Sequence, residues 1–131
     1  MRDNFVITIM DNKDSVEASQ KCIDSARNYN IMVRRFPAIT PRTEGFEDMV
    51  EEAGLNIEAF STGYSRPENA LACFLSHMSL WQYAVENKCN TMILEHDAVF
   101  KDTVRSIPFD RVITIGKPSY GQYNTPQTLG A

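Results

Sequence analysis

Cysteine is scarce in this sequence: three residues of 131, Cys22, Cys73 and Cys89. The number is odd, and neither a Cys-x-x-Cys nor a Cys/His pairing at zinc-module spacing is present, which excludes a disulfide framework and a structural zinc module. Reduced, mostly buried thiols are the expectation. A surplus of positive charge is missing as well. The 13 Lys+Arg stand against 17 Asp+Glu, giving a net charge of −4 and a pI near 5.1. No basic field covers the chain, so a dedicated nucleic-acid binder is excluded. Long apolar runs are absent too. Residues 5–10 follow Arg2 and Asp3 and lack the extent of a signal-peptide core, while residues 70–85 are broken by Ser76, His77, Ser79 and Gln82. Both fall short of the roughly 20 residues that a membrane span needs. The expectation is a cytoplasmic protein with no transmembrane segment.

What is present alternates between strand and helix. Residues 5–10, Phe-Val-Ile-Thr-Ile-Met, are an apolar β-branched run ending in Asp11-Asn12-Lys13-Asp14, the pattern of a buried strand entering a polar loop. Val16, Ser19, Ile23 and Ala26 then recur at helical spacing, with Asp14 or Ser15 as the N-cap. Residues 31–36 form a second strand, stopped by Pro37, and the three elements make a right-handed βαβ unit. Phe46, Met49, Val50 and Ala53 mark a short helix ended by Gly54 in a left-handed conformation. Residues 55–64 have no period and read as a loop on the ligand side.

Ser65-Arg66-Pro67-Glu68 matches a capping box and opens the longest helix, which runs to about Asn87. Ala70, Phe74, His77, Trp81 and Ala84 share one face with Leu71, Leu75, Met78 and Val85 close by, so this helix is expected to be buried on most sides. On that reading Trp81 and Cys73 are packing residues. Residues 91–94 and 112–115 supply a third and a fourth strand. The fold expected is α/β, a mostly parallel sheet flanked by helices over residues 1–116, with 117–131 as an irregular C-terminal tail.

Glu95-His96-Asp97 stands at the end of the third strand. Extended backbone points alternate side chains the same way, so Glu95 and Asp97 are expected to converge while His96 projects to the opposite side. Two carboxylates suit a hard divalent ion, Mn²⁺ or Mg²⁺, whose charge would offset a diphosphate leaving group. A solvated acidic loop is the plainer alternative for such a pair.

Arg66-Pro-Glu-Asn-Ala-Leu-Ala-Cys-Phe-Leu-Ser-His-Met-Ser-Leu-Trp81, followed by Thr91-Met-Ile-Leu-Glu-His-Asp-Ala-Val-Phe100, closely resembles the signature of glycosyltransferase family 25. Cys73, Ser76, His77, Trp81, Glu95 and Asp97 match it in order, and Phe36-Pro37-Ala38 resembles the aromatic-x-Ala segment that precedes it. The resemblance implies a GT-A fold of Rossmann type and hexosyl transfer from a nucleotide sugar, UDP-hexose first, in the making of lipopolysaccharide, capsular or collagen-type glycans. It implies a donor loop at Thr8, Met10 and Asp11, a metal held by Glu95 and Asp97, and a phosphate partner in Arg66. Ser76 and His96 fall among the substrate-binding positions, and Asp97 and His77 among the catalytic ones. His77 is open to two roles, direct donor contact or a core histidine that orients the acidic loop.

The sequence departs from the family pattern in places. His96 replaces the middle acidic residue, and Asn69-Ala70-Leu71-Ala72 stands where Gly-Glu-x-Gly is usual. Family members usually continue further and place their acceptor side there, so donor binding is expected to exceed transfer, and a homodimer is expected. The acceptor glycan is left open. The alternatives are a non-catalytic sugar-nucleotide-binding remnant, completed by a partner or a second copy, and a metal-dependent phosphohydrolase with Asp11 as nucleophile.

Overall fold

A computed structural model describes residues 2–60 and 66–116 and the backbone of 128–129. Three parallel strands, β1 (Arg2–Thr8), β2 (Arg34–Pro37) and β3 (Asn90–Glu95), form a sheet in the order β2-β1-β3. Helix α1 (Lys13–Arg27) joins β1 to β2. Helix α2 (Phe46–Glu52), a 3₁₀ turn (Ile57–Phe60) and helix α3 (Pro67–Asn87) lie between β2 and β3. This is the expected Rossmann-like α/β arrangement. The two crossovers leave in opposite directions along the sheet, and right-handed connections then place α1 and α3 on opposite faces.

The strand period shows in the core. Val6 and Met92 pack with Cys22, Ile23 and Ala26 of α1. Phe5, one residue earlier on β1, meets Tyr83 of α3 edge to face at 5.0 Å between ring centroids. Leu71, Ala72 and Leu75 of α3 bury against Phe46 of α2 in a second cluster.

Boundaries differ from expectation for local reasons. β1 ends at Thr8, because Asn12 N bonds Ile9 O at 3.0 Å and the chain turns into α1. The N-cap of α1 is Asn12, whose side chain accepts Ser15 N at 2.9 Å, and not Asp14 or Ser15. Ile31 does not open β2. Its N–H closes the end of α1 on Ala26 O at 3.0 Å, and pairing begins at Arg34. Pro37 is the last residue of β2, so the strand stops there as expected; a proline is tolerated at that place because β2 has no neighbour on its far side among the described residues. Gly54 has φ +66° after α2, as expected, and Leu55 N bonds Val50 O at 3.1 Å behind it. The N-cap of α3 is Arg66, with Pro67 in the first helical position; Ser65 of the expected capping box lies outside the described residues, as do 61–64 of the loop.

Two expectations are corrected outright. The fourth strand is not part of the parallel sheet: Val112–Ile113 pairs antiparallel with Thr128–Leu129. A parallel strand needs cover on both faces, and Val112 and Ile115 are exposed. Helix α3 is not buried on most sides either. Its stripe of Leu71, Ala72, Leu75, Ser76 and Leu80 faces the sheet and α2, while Trp81 is 44% and Val85 77% exposed. Cys73 is exposed and Cys89 half-buried, so of the three thiols only Cys22 sits in the core, where burial pushes it up to about 11.

Candidate functional site

In a parallel sheet wound in two directions, the carboxyl ends of the strands diverge where the winding reverses and leave a crevice for a ligand. Here that point lies between β1 and β3. The segment leaving β1, residues 9–12, and the turn leaving β3, residues 95–98, border it.

The alternation of β3 persists one residue beyond the strand and then fails. Leu94 packs on the α1 side, Glu95 turns to His77 of α3, and His96 turns back to Ser15 of α1. Ala98 N then bonds Glu95 O at 3.0 Å, closing a turn. Asp97 therefore leaves the strand's parity and lines an open hollow beside α1 with Asp14, Glu17 and Lys21, so the expected convergence of Glu95 and Asp97 is corrected: Glu95 faces α3 and Asp97 does not. His96 and Glu95 do point to opposite sides, as expected from an extended chain.

Ser15 links the two loops. Its Oγ accepts the Ile9 N–H at 2.9 Å and meets His96 Nδ1 at 2.9 Å. Around it, the expected donor-loop residues have separate environments. Thr8 is fully buried, its hydroxyl donating to Val6 O at 3.1 Å and its carbonyl accepting from Ala38 N at 2.8 Å. Met10 is exposed, and Asp11 has both carboxylate oxygens on Arg42 Nη2, at 3.0 and 3.2 Å. An Asp held in that way is poorly placed as the nucleophile a phosphohydrolase requires. Arg66, at the N-cap of α3, is exposed. Ser76 is buried; it donates to Ala72 O at 3.1 Å and accepts Ile39 N at 2.9 Å, so it fastens α3 to the segment after β2.

On the α3 side, His77 Nε2 stands 3.9 Å from Glu95 Oε1. The Cys73 sulfur, and after it the Glu95 carboxylate, raise the His77 pKa to about 9 against the opposing effect of burial. Both neighbours favour the imidazolium form of His77. In return it lowers the Glu95 pKa, so Glu95 is a carboxylate. Cys73 lies one helical turn before His77, and one ligand atom from each of Cys73, His77 and Glu95 falls within 4.8 Å of the others. The sequence carries the signal for this cluster in the Cys73-x-x-x-His77 spacing on a helix, so the expectation that no Cys/His pair stands at metal-ligand spacing is corrected. Trp81 continues the same face, with its ring 6.3 Å from that of His77 and 5.7 Å from that of Phe74.

Among the described residues, no helix is long and apolar enough to cross a membrane. No curated protein matches the chain at a significant level. The family model for Glycosyltransferase family 25 (LPS biosynthesis protein) matches residues 1–112, which takes in both loops of the crevice, all of α3 and the Glu95-His96-Asp97 turn. The chain belongs to glycosyltransferase family 25.

Proposed function

We propose that this protein binds a nucleotide-sugar donor, a UDP-hexose, at the carboxyl edge of the sheet between β1 and β3 and transfers the hexosyl group to a glycan acceptor in lipopolysaccharide-type biosynthesis. The observation that carries the reading is the position of Glu95-His96-Asp97 at the switch point of the sheet in a family 25 chain. The donor types suit a hard divalent ion: Glu95 and Asp97 are exposed carboxylates on one turn, and a side-chain rotation of Glu95 away from His77 would bring its oxygen to the side where Asp97 lies beside Asp14 and Glu17. Glu95 and Asp97 would hold Mn²⁺ or Mg²⁺, which when bound supplies charge to offset the diphosphate leaving group.

The chain's own residues set the rest. Ser15 and His96 hold the loops after β1 and β3 together, fixing the walls of the crevice before a donor arrives. His77 keeps Glu95 ionised and oriented. Met10 offers an exposed apolar side chain to a nucleobase, and Arg66 offers a guanidinium fork to phosphate. Asp11, tied to Arg42, borders the donor loop. Exposed apolar side chains at Trp81 and Val85 support self-association, which sizing in solution tests.

Titration calorimetry with a panel of nucleoside diphosphate sugars, with and without Mn²⁺, tests the assignment. Metal-dependent binding is expected, and Asp97→Asn is expected to remove most of it. Equal binding by parent and Asp97→Asn in Mn²⁺ would overturn the metal assignment.

A further inference from the structure

Cys73 and His77 stand one turn apart on the open side of α3, and Glu95 reaches them from the end of β3. We infer that Cys73 Sγ, a ring nitrogen of His77 and a carboxylate oxygen of Glu95 form a zinc site, which shares Glu95 with the oxygen-only donor set proposed for the donor's metal.

The chemistry of the donors decides the metal. Mn²⁺ and Mg²⁺ take oxygen ligands, whereas thiolate and imidazole together select a softer ion, and zinc accepts all three donor types in one tetrahedral shell. Bonds of about 2.3 Å to sulfur and about 2.0–2.1 Å to nitrogen and oxygen set zinc ligands roughly 3.3–3.6 Å apart. His77 Nε2 and Glu95 Oε1 are already 3.9 Å apart, and the whole set lies within 4.8 Å. Closing it takes side-chain movements of about 1 Å. Cys73 and Glu95 are exposed, so they are free to make them and leave a fourth position to water. Zinc replaces the thiol proton of Cys73 and the imidazolium proton of His77, and both protons pass to solvent. The backbone spacing is fixed by α3 on one side and by the β1–β3 ladder on the other, so the ligands are brought together before the ion arrives.

The site also has a consequence for catalysis, which rests on the assignment of Glu95 to the donor's metal. Glu95 serves one ion at a time in this arrangement. Zinc held by α3 keeps Glu95 on the α3 side, where it cannot join Asp97 on the donor's metal, so zinc inhibits donor binding.

The test uses the full chain, zinc alone, a competing chromophoric chelator, and Co²⁺ as a spectroscopic substitute. One zinc per chain is expected, and the cobalt complex is expected to show a thiolate charge-transfer band. Cys73→Ser and His77→Gln should each weaken zinc by more than about 100-fold, beyond the loss of an outer-shell partner. Cys89→Ser should bind like the parent. Because Cys73 is exposed, its replacement leaves the core intact, and circular dichroism checks this. Unchanged zinc affinity in Cys73→Ser, or a cobalt spectrum without the thiolate band, would overturn the site. A second arm measures Mn²⁺-dependent nucleoside diphosphate binding as zinc is added. Inhibition in the parent and none in Cys73→Ser supports the competition. Cys73-dependent zinc binding that leaves the nucleotide untouched keeps the zinc site and removes Glu95 from the donor's metal.

Discussion

His96 Nδ1 and Ser15 Oγ lie 2.9 Å apart, although 81 positions separate them in sequence. The same hydroxyl holds the Ile9 N–H. One small side chain therefore sets the spacing between the loops that leave β1 and β3.

Replacing Ser15 with Ala leaves the Ile9 N–H and the His96 ring without that partner. A loss of about 1–3 kcal/mol is expected, read from the urea midpoint at constant slope. A variant as stable as the parent would show that water takes over both bonds.

His77 should titrate far above its ordinary 6.5, near 9, in protein freed of metal by chelation. The folded value is the raised one, so the stabilisation is fully present below pH 6.5 and is lost as pH rises through about 9. Imidazole resonances followed by NMR give the value directly. Cys73→Ser should lower it more than Glu95→Gln, since the sulfur is the larger cause. A midpoint near 6.5 in the parent would refute the coupling of His77 to Cys73 and Glu95.

Lys88 ends α3 in the left-handed region at φ 49°, with Cys89 N returning to Ala84 O at 3.2 Å. Glycine takes that conformation without a Cβ penalty, so Lys88→Gly should stabilise by about 0.5–1 kcal/mol. A fall in the thermal midpoint would contradict this.

The Arg42–Asp11 pair is exposed on both sides. Arg42→Ala should change stability by less than about 1 kcal/mol, and the difference should shrink further in high salt. A larger, salt-insensitive loss would mean that the pair is shielded from solvent.

Restoring the family's acidic residue with His96→Asp should leave Mn²⁺ bound at Glu95 and Asp97, because His96 faces Ser15 and not Glu95. A structure with a His96 nitrogen on the ion in the parent would sink this prediction.

The βαβ start was legible because its apolar period is strong and its face is covered, with Val6 and Ile23 buried where the pattern predicts. Helix α3 was legible as a helix, but its covered stripe is Leu71, Ala72, Leu75, Ser76 and Leu80 and not the face of Phe74, His77 and Trp81. The run at 112–115 has the same β-branched character, yet no described layer covers Val112 or Ile115, and a local pattern carries no information about cover. Residue type misled at Cys73 and Trp81. Both are usually buried, but α3 meets neighbours on two sides and leaves the third open. In the site, the order Glu95-His96-Asp97 correctly separated His96 from Glu95. The direction of Asp97 was not legible, since it depends on the turn closed by Ala98 and Glu95.

The central position of β1 fixes a sequence of events in folding. It is made before both of its neighbours, β2 and β3, and Arg2 pairs with Asn90 only after α3 has been traversed. Such long-range parallel pairing pays loop-closure entropy before it gains contacts, which slows the transition state. During synthesis β1 must wait beside β2 with one ladder edge unfilled until β3 emerges, and in that interval it is open to pairing with another nascent chain. Slow or crowded synthesis should therefore lower the soluble yield of this protein, and destabilising α3, whose docking delivers β3, should lower it further.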